Sequence, residues 1–199
     1  MDEVELAVLL ASDLDRHFGQ LVMLYEARLY AFMVRQTGHA QEAEDIVQEA
    51  LMQAYFALAR YTPQQRSAIA LRPWLYKIML NVFYGRLRKG QLFAVALDLS
   101  EDGPHLTIEE DLNLRPEVIL EKREAQRELE ALLNQLPERY RIVLNLYYFA
   151  DLGYQEIADL LNVPLGSIKS LLHRGIQRLR KALELSQGKE QESHATGER

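Results

Sequence analysis

Apolar residues recur at intervals of three and four along nearly the whole chain, and no run alternates with period two. Such spacing lines one face of a helix and leaves no side for a half-buried strand, so the sequence predicts an all-α fold. Ser12 or Asp13 caps a helix whose stripe runs Leu14, Phe18, Leu21, Tyr25, Leu29 and Phe32, and Gly38 ends it. A second helix covers Ala40 to Arg60. Tyr61 to Leu71 lacks a stripe and holds Pro63, so it reads as a loop. Pro73 then starts a helix reaching Lys89 and closing a first domain over residues 1–90. Residues 91–116, with Gly103, Pro104 and the cluster Glu109-Glu110-Asp111, read as an extended acidic linker. Pro116 and Pro137 open two more helices, to about Gln135 and about Ala150. Two short helices meet around Asn162-Val163-Pro164, giving a second domain over 117–185. The tail at 186–199 has no apolar residue larger than alanine and is expected to be disordered.

Several function classes fall away on composition. The chain has no cysteine, so disulfides and thiolate metal sites are excluded, and its five histidines are scattered. The apolar stretch Leu6 to Ala11 is far below the roughly 20 residues that cross a bilayer, and acids precede it. A soluble, cytoplasmic protein without membrane association is expected. No Gly-rich phosphate loop, GxSxG or HExxH occurs, so neither an enzyme nor a cofactor is expected.

The formal charge of −6 conceals segregation. Residues 1–50 hold ten acids and three bases, whereas Arg72 to Lys89 has five bases and no acid. Val163 to Leu185 has five bases against Glu184 alone. Two cationic islands in an anionic chain are either solvated helix faces or local contacts for nucleic acid.

Three constellations sharpen that choice. The segment YQEIADLLNVPLGSIKSLLHRGIQRLRKAL has the form of a helix-turn-helix. On a wheel of about 100° per residue, Ile168, Leu171, Leu172, Gly175, Ile176, Leu179 and Leu183 fall on one side of its second helix. Lys169, Ser170, His173, Arg174, Gln177, Arg180 and Lys181 fall on the other, with Ser167 at the N-terminus as a phosphate contact. An ordinary surface helix is the plainer alternative. In the Pro73 helix, Lys77, Asn81, Tyr84 and Arg88 form a narrow polar strip on an otherwise apolar cylinder. That chemistry suits phosphate contact, base hydrogen bonding and stacking on unpaired bases; a core helix with one wetted edge would look similar. In the helix Ala40 to Arg60, Met52 and Phe56 lie opposite the core stripe among Asp45, Gln48, Glu49 and Gln53. This is a candidate docking patch for a basic protein surface, unless both pack on the first helix or the Tyr61 loop.

At these residues the chain resembles bacterial RNA polymerase sigma factors of the extracytoplasmic-function (ECF, sigma-24-like) group. EAEDIVQEALMQAY resembles the polymerase-docking helix of region two, and RPWLYKIMLNVFYGRLRK its promoter-melting helix. LPERYRIVLNLYYFADLGYQEIADLLNVPLGSIKSLLHRGIQRLRK resembles region four. The resemblance implies a sigma region two bundle and a region four helix-turn-helix that together direct transcription initiation. Asp45, Gln48, Glu49, Met52 and Phe56 would meet core RNA polymerase. Lys77, Asn81, Tyr84 and Arg88 would hold the melted minus-ten strand of promoter DNA. Ser167, Lys169, Ser170, His173, Arg174 and Gln177 would hold the duplex minus-thirty-five element. An anti-sigma factor is a further implied partner. Leu171 and Ile176 depart from the family pattern, standing where arginines are common. The competing readings are a free-standing helix-turn-helix repressor or activator, which leaves the Pro73 strip without a task, and a helical nucleic-acid hydrolase, which lacks an acidic metal cluster.

Overall fold

The computed structural model describes residues 2–87 and 123–195, with no strand among them. The order is α1 (Glu3–Ser12), α2 (Leu14–Thr37), α3 (Ala40–Arg60), α4 (Pro63–Ser67), α5 (Leu71–Leu87), α6 (Arg123–Gln135), α7 (Glu138–Tyr148), α8 (Tyr154–Leu161) and α9 (Leu165–Ala195). The acidic linker and Arg88 lie outside the described residues.

The first half is a bundle in which α2 packs on α3, α3 on α5, and α1 closes against α2 and α4. The boundaries follow local chemistry. The Asp13 side chain accepts from the Arg16 N–H at the start of α2, and Gly38 ends it at φ 75°, a conformation that costs any residue with a Cβ. The stripe Leu21, Tyr25, Leu29 and Phe32 is fully buried. Two elements differ from the sequence expectation. Leu6, Ala7 and Leu10 form the core face of the additional helix α1. In the expected loop, Thr62 accepts from the Gln65 N–H while the Gln65 side chain accepts from the Thr62 N–H, and Pro63 occupies the first turn of α4. That reciprocal pair satisfies the free amides of a helix start and overrides the lack of an apolar stripe.

In the second half α7 is central, packed on α8 and α9. Gly175 lets α9 approach closely: a Cβ there would stand 3.1 Å from Leu144 Cδ1 and 3.4 Å from Tyr140 Cβ. The helix α9 runs to Ala195, correcting the expected disorder from residue 186. Lys189, Glu190, Gln191 and Glu192 favour helix intrinsically, so the backbone continues without an apolar face.

The two halves touch. Helix α2 packs on α6 and α7, and α5 on α8, so buried residues of both halves join one hydrophobic cluster. Polar contacts also cross this seam. Arg72 Nη1 donates to Asp151 Oδ2 at 2.8 Å and to the Asp151 carbonyl at 3.0 Å, while its Nε donates to Glu3 Oε1 at 2.9 Å. Asn145 Nδ2 donates to Gln36 Oε1 at 3.3 Å, and the Arg35 guanidinium lies 4.1 Å from the Phe149 ring centroid.

Candidate nucleic-acid and protein-docking surfaces

Helix α3 buries Ile46, Val47, Ala50, Leu51, Ala54 and Leu58 and turns its acidic face outward. Met52 and Phe56 are each 55% exposed, so neither is consumed by packing on α2 or on the Tyr61 segment. Asp45, Gln48, Glu49, Met52 and Gln53 line a depression of about 460 Å3 that Arg86 of α5 completes. Phe56 continues the apolar strip one turn on. Tyr55, beside it, is fixed by donating to Asp15 Oδ1 at 2.6 Å and by edge-on contact with Phe18. A thioether and a phenyl ring held at half exposure inside a carboxylate frame offer apolar area to a partner with a basic rim.

On α5, Lys77 and Asn81 are exposed as expected, whereas Tyr84 is only 7% exposed. The expectation that Tyr84 stacks on unpaired bases is therefore corrected: its ring packs in the core beside Phe83, with centroids 4.9 Å apart. The outward arc continues through Gly85 instead, with Trp74 and Ile78 half-buried along its edge. The arc is turned roughly 40° from the one expected, on a wheel of 100° per residue. What faces solvent is a cation, an amide and the margin of an indole.

The helix-turn-helix is formed by α8 and α9. The Gly153 N–H is capped by Glu156 Oε2 at 2.8 Å, and Asn162 turns the chain in the left-handed region at φ 55°. Ile168, Leu171, Leu172 and Ile176 are buried against this unit. Leu171 and Ile176, at 4% and 7% exposure, serve the interior, which explains apolar residues at positions where the resemblance would place arginine. Ser167 is also interior, at 5% exposure, so its hydroxyl is withdrawn from the phosphate contact expected of it. The helix begins two residues earlier than expected, so Ser167 stands within its first turn, about 40° on the wheel from buried Leu171.

The outward side carries Lys169 and Gln177 exposed, with Ser170, His173 and Arg174 partly so. Gln177 Nε2 and His173 Nε2 lie 2.8 Å apart, pairing an amide with an imidazole one turn apart on this face. Lys169 Nζ lies 6.0 Å from the Tyr154 ring, itself stacked on Tyr147. Arg174, Gln177, Arg178 and Lys181 border a groove of about 270 Å3 over Tyr140, cationic and suited to a phosphate backbone.

Sequence reasoning missed Arg86 and the seam residues Arg35, Gln36, Arg72, Asn145 and Asp151. Burial lowers the Arg35 guanidinium affinity for its proton, opposed by Glu130. Burial works in the same sense on Arg72, but the Glu3 and Asp151 carboxylates outweigh it and hold its charge more firmly than usual. Among the described residues no helix is long and apolar enough to cross a membrane.

A helical bundle with a cationic strip, followed by a helix-turn-helix with a cationic outer face, defines a two-module promoter-recognition protein. The family described as Sigma-70 region 2 matches residues 21–92, and that described as Sigma-70, region 4 matches residues 126–179. The chain is 32% identical over 170 residues to the ECF RNA polymerase sigma factor SigW of Bacillus subtilis, covering 83% of this chain and 88% of that one. It is also 32% identical over 175 residues to the RNA polymerase sigma-H factor of Pseudomonas aeruginosa, covering 85% and 87%. Among solved structures, CnrH in complex with the cytosolic domain of CnrY superposes with a TM-score of 0.62 at 23% identity, over 92% of this chain and 97% of CnrH. The sigma factor RpoE of Bartonella quintana, in complex with the anti-sigma factor NepR, gives 0.59 at 24%, over 84% and 96%. This chain belongs to the ECF group of RNA polymerase sigma factors. It binds core polymerase and directs promoter-specific transcription initiation.

Proposed function

We propose a division of labour among three surfaces. The α3 patch of Asp45, Gln48, Glu49, Met52 and Phe56 docks on core polymerase. Lys77 and Asn81 of α5, with Arg88 beyond the described residues, hold the melted minus-ten strand. Lys169, Ser170, His173, Arg174 and Gln177 of α9 read the duplex minus-thirty-five element. Residues 1–90 and 117–185 act as region two and region four, with 91–116 as their acidic connection.

The observation that carries this reading is α9 itself. Between Ile168 and Leu183 it has no carboxylate, its apolar residues are turned inward, and its cations and amides are left to the outer face. Major-groove reading needs that combination, because a carboxylate facing the groove would be repelled by phosphate. The chain itself performs no chemistry. Captured bases offset the unstacking cost of about a few kcal/mol per base, and polymerase supplies catalysis. It works in the cytoplasm, where the template is. Because structural relatives are complexes with CnrY and NepR, an anti-sigma protein is proposed as a third partner.

Run-off transcription with purified core polymerase and a promoter library tests the reading. Specific transcripts that require the chain are expected, and are expected to fall with Lys169→Glu plus Arg174→Glu. Tight specific DNA binding by the chain alone, with no effect on polymerase, would instead identify a free-standing repressor.

A further inference from the structure

Lys169 carries its charge on a flexible four-carbon stem, so the strength of any contact it makes depends on what restrains the ammonium. Its own helix offers no ion pair for this, because α9 has no carboxylate between Ile168 and Leu183. On α8, Glu156 accepts from the Gly153 N–H at 2.8 Å and Asp159 accepts from Gln155 Nε2 at 2.8 Å, so both acids are engaged close by in sequence. The ammonium lies instead over an aromatic ring, with Lys169 Nζ 6.0 Å from the Tyr154 centroid. We propose that Tyr154 is a positioning residue for the minus-thirty-five contact, holding the Lys169 ammonium at one edge of the outer face of α9 by cation–π attraction. This inference rests on the assignment of α9 to that element and names how one of its contacts is aimed.

The ring is itself held. Tyr154 opens α8 and stacks on Tyr147 at the end of α7, with centroids 5.0 Å apart and planes 8° from parallel, while Tyr148 meets Tyr147 edge-on at 4.9 Å and 87°. All three rings are partly buried against the core, so the plane of Tyr154 is fixed while part of it stays open to solvent. A ring differs from a carboxylate in what it leaves behind. An ion pair would restrain Lys169 but cancel the charge that phosphate must meet; the π face has no net charge, so the ammonium is restrained and its charge is kept for DNA. Placement on the helix gives this restraint a purpose. On a wheel of about 100° per residue, Lys169 and Arg174 stand about 140° apart with His173 and Gln177 between them. Cations at both edges suit the two walls of a major groove, and the middle is left to an imidazole and an amide.

The test is the affinity of core polymerase carrying the full chain for a promoter drawn from the run-off library, measured by fluorescence anisotropy. Lys169→Met should weaken binding. Tyr154→Leu should weaken it about two- to fivefold, the range of an exposed cation–π contact, and Tyr154→Phe, which keeps the ring, should restore it. In the Lys169→Met background, Tyr154→Leu should cost nothing further. Losses that add in the double variant would overturn the proposal, because the ring would then serve DNA or the fold directly, and so would wild-type affinity in Tyr154→Leu. If Tyr154→Leu lowers the melting temperature, fluorinated phenylalanines at position 154 keep the ring shape and weaken its negative face. Affinity falling with each added fluorine is then expected, and a flat series overturns the proposal. An unaffected Lys169→Met is the distinct result that would overturn the assignment of Lys169 to DNA, and the inference with it.

Discussion

Arg86 on α5 donates through Nε and Nη2 to one oxygen of Glu49 on α3, at 3.0 and 2.6 Å, and through Nη2 to the Asp45 carbonyl at 3.1 Å. The helix assigned to strand capture is thereby tied to the helix assigned to polymerase docking, and Glu49 is held at the edge of the depression that contains Met52. Arg86→Ala should cost less than about 1 kcal/mol of stability, because both partners are more than a third exposed. It should weaken core-polymerase binding about two- to fivefold by releasing Glu49. Calorimetric melting and a polymerase-binding titration separate the two; loss of fold stability matching loss of binding would refute the positioning role.

Within α5, exposure separates function from packing. Lys77→Glu combined with Arg88→Glu should abolish promoter opening while polymerase binding and melting temperature stay unchanged. Tyr84→Ala, by contrast, should behave as a core truncation and cost about 2–4 kcal/mol. Permanganate footprinting of the melted strand, read beside thermal melts, decides between these assignments. Normal stability in Tyr84→Ala together with failed opening would return Tyr84 to the strand-binding set.

Close approach of α9 to α7 depends on Gly175. Gly175→Ala places a methyl 3.1 Å from Leu144 Cδ1, where a small shift suffices and the gain in helix propensity opposes the crowding. Gly175→Val cannot be accommodated so readily and should destabilise the second half by about 1–3 kcal/mol. Urea titration followed by far-ultraviolet circular dichroism measures the cost. An unaffected Gly175→Val would mean that the interhelical spacing is looser than described.

Alkaline unfolding should report on two buried phenols. Burial raises the Tyr76 hydroxyl to about 12, against nearby Arg35, Arg28 and Arg72, which lower it. Burial raises Tyr25 as well, assisted by Glu3. The folded chain holds these protons more tightly than the unfolded chain, so their stabilisation is complete below pH 10 and declines as pH rises toward 12. For Tyr76 the loss amounts to about 3 kcal/mol. Tyr76→Phe should flatten the fall in melting temperature over that window, and an unchanged slope would contradict the assignment.

Where structure is decided by local spacing, the sequence already contained it. The stripe from Leu14 to Phe32 ending at Gly38, the bounds of α3, and the inward set Ile168, Leu171, Leu172 and Ile176 all follow from a 3.6-residue period and a cap. What escaped was decided elsewhere. Tyr84 lies near the margin of the α5 wheel, and only the packing of α3 against α5 settles which way the exposed arc turns. Thr62-Pro63-Gln64-Gln65 carried a helix-start signal that the missing stripe obscured. The seam pairs Gln36 with Asn145 and Arg72 with Asp151, contacts between residues far apart in the chain that no periodicity can express. One clue was present: Asn145 is a lone amide within the apolar run Ile142 to Leu146.

Leu171, Gly175 and Ile176 commit one side of α9 to the interior, apart from the outer face proposed to meet DNA. On the proposed assignment, exchanging Lys169, His173, Arg174 and Gln177 as a set should retarget the factor to a different upstream hexamer while the buried residues of α9 are kept. Such a helix is a replaceable reading head, suited to building parallel regulators that ignore one another's promoters.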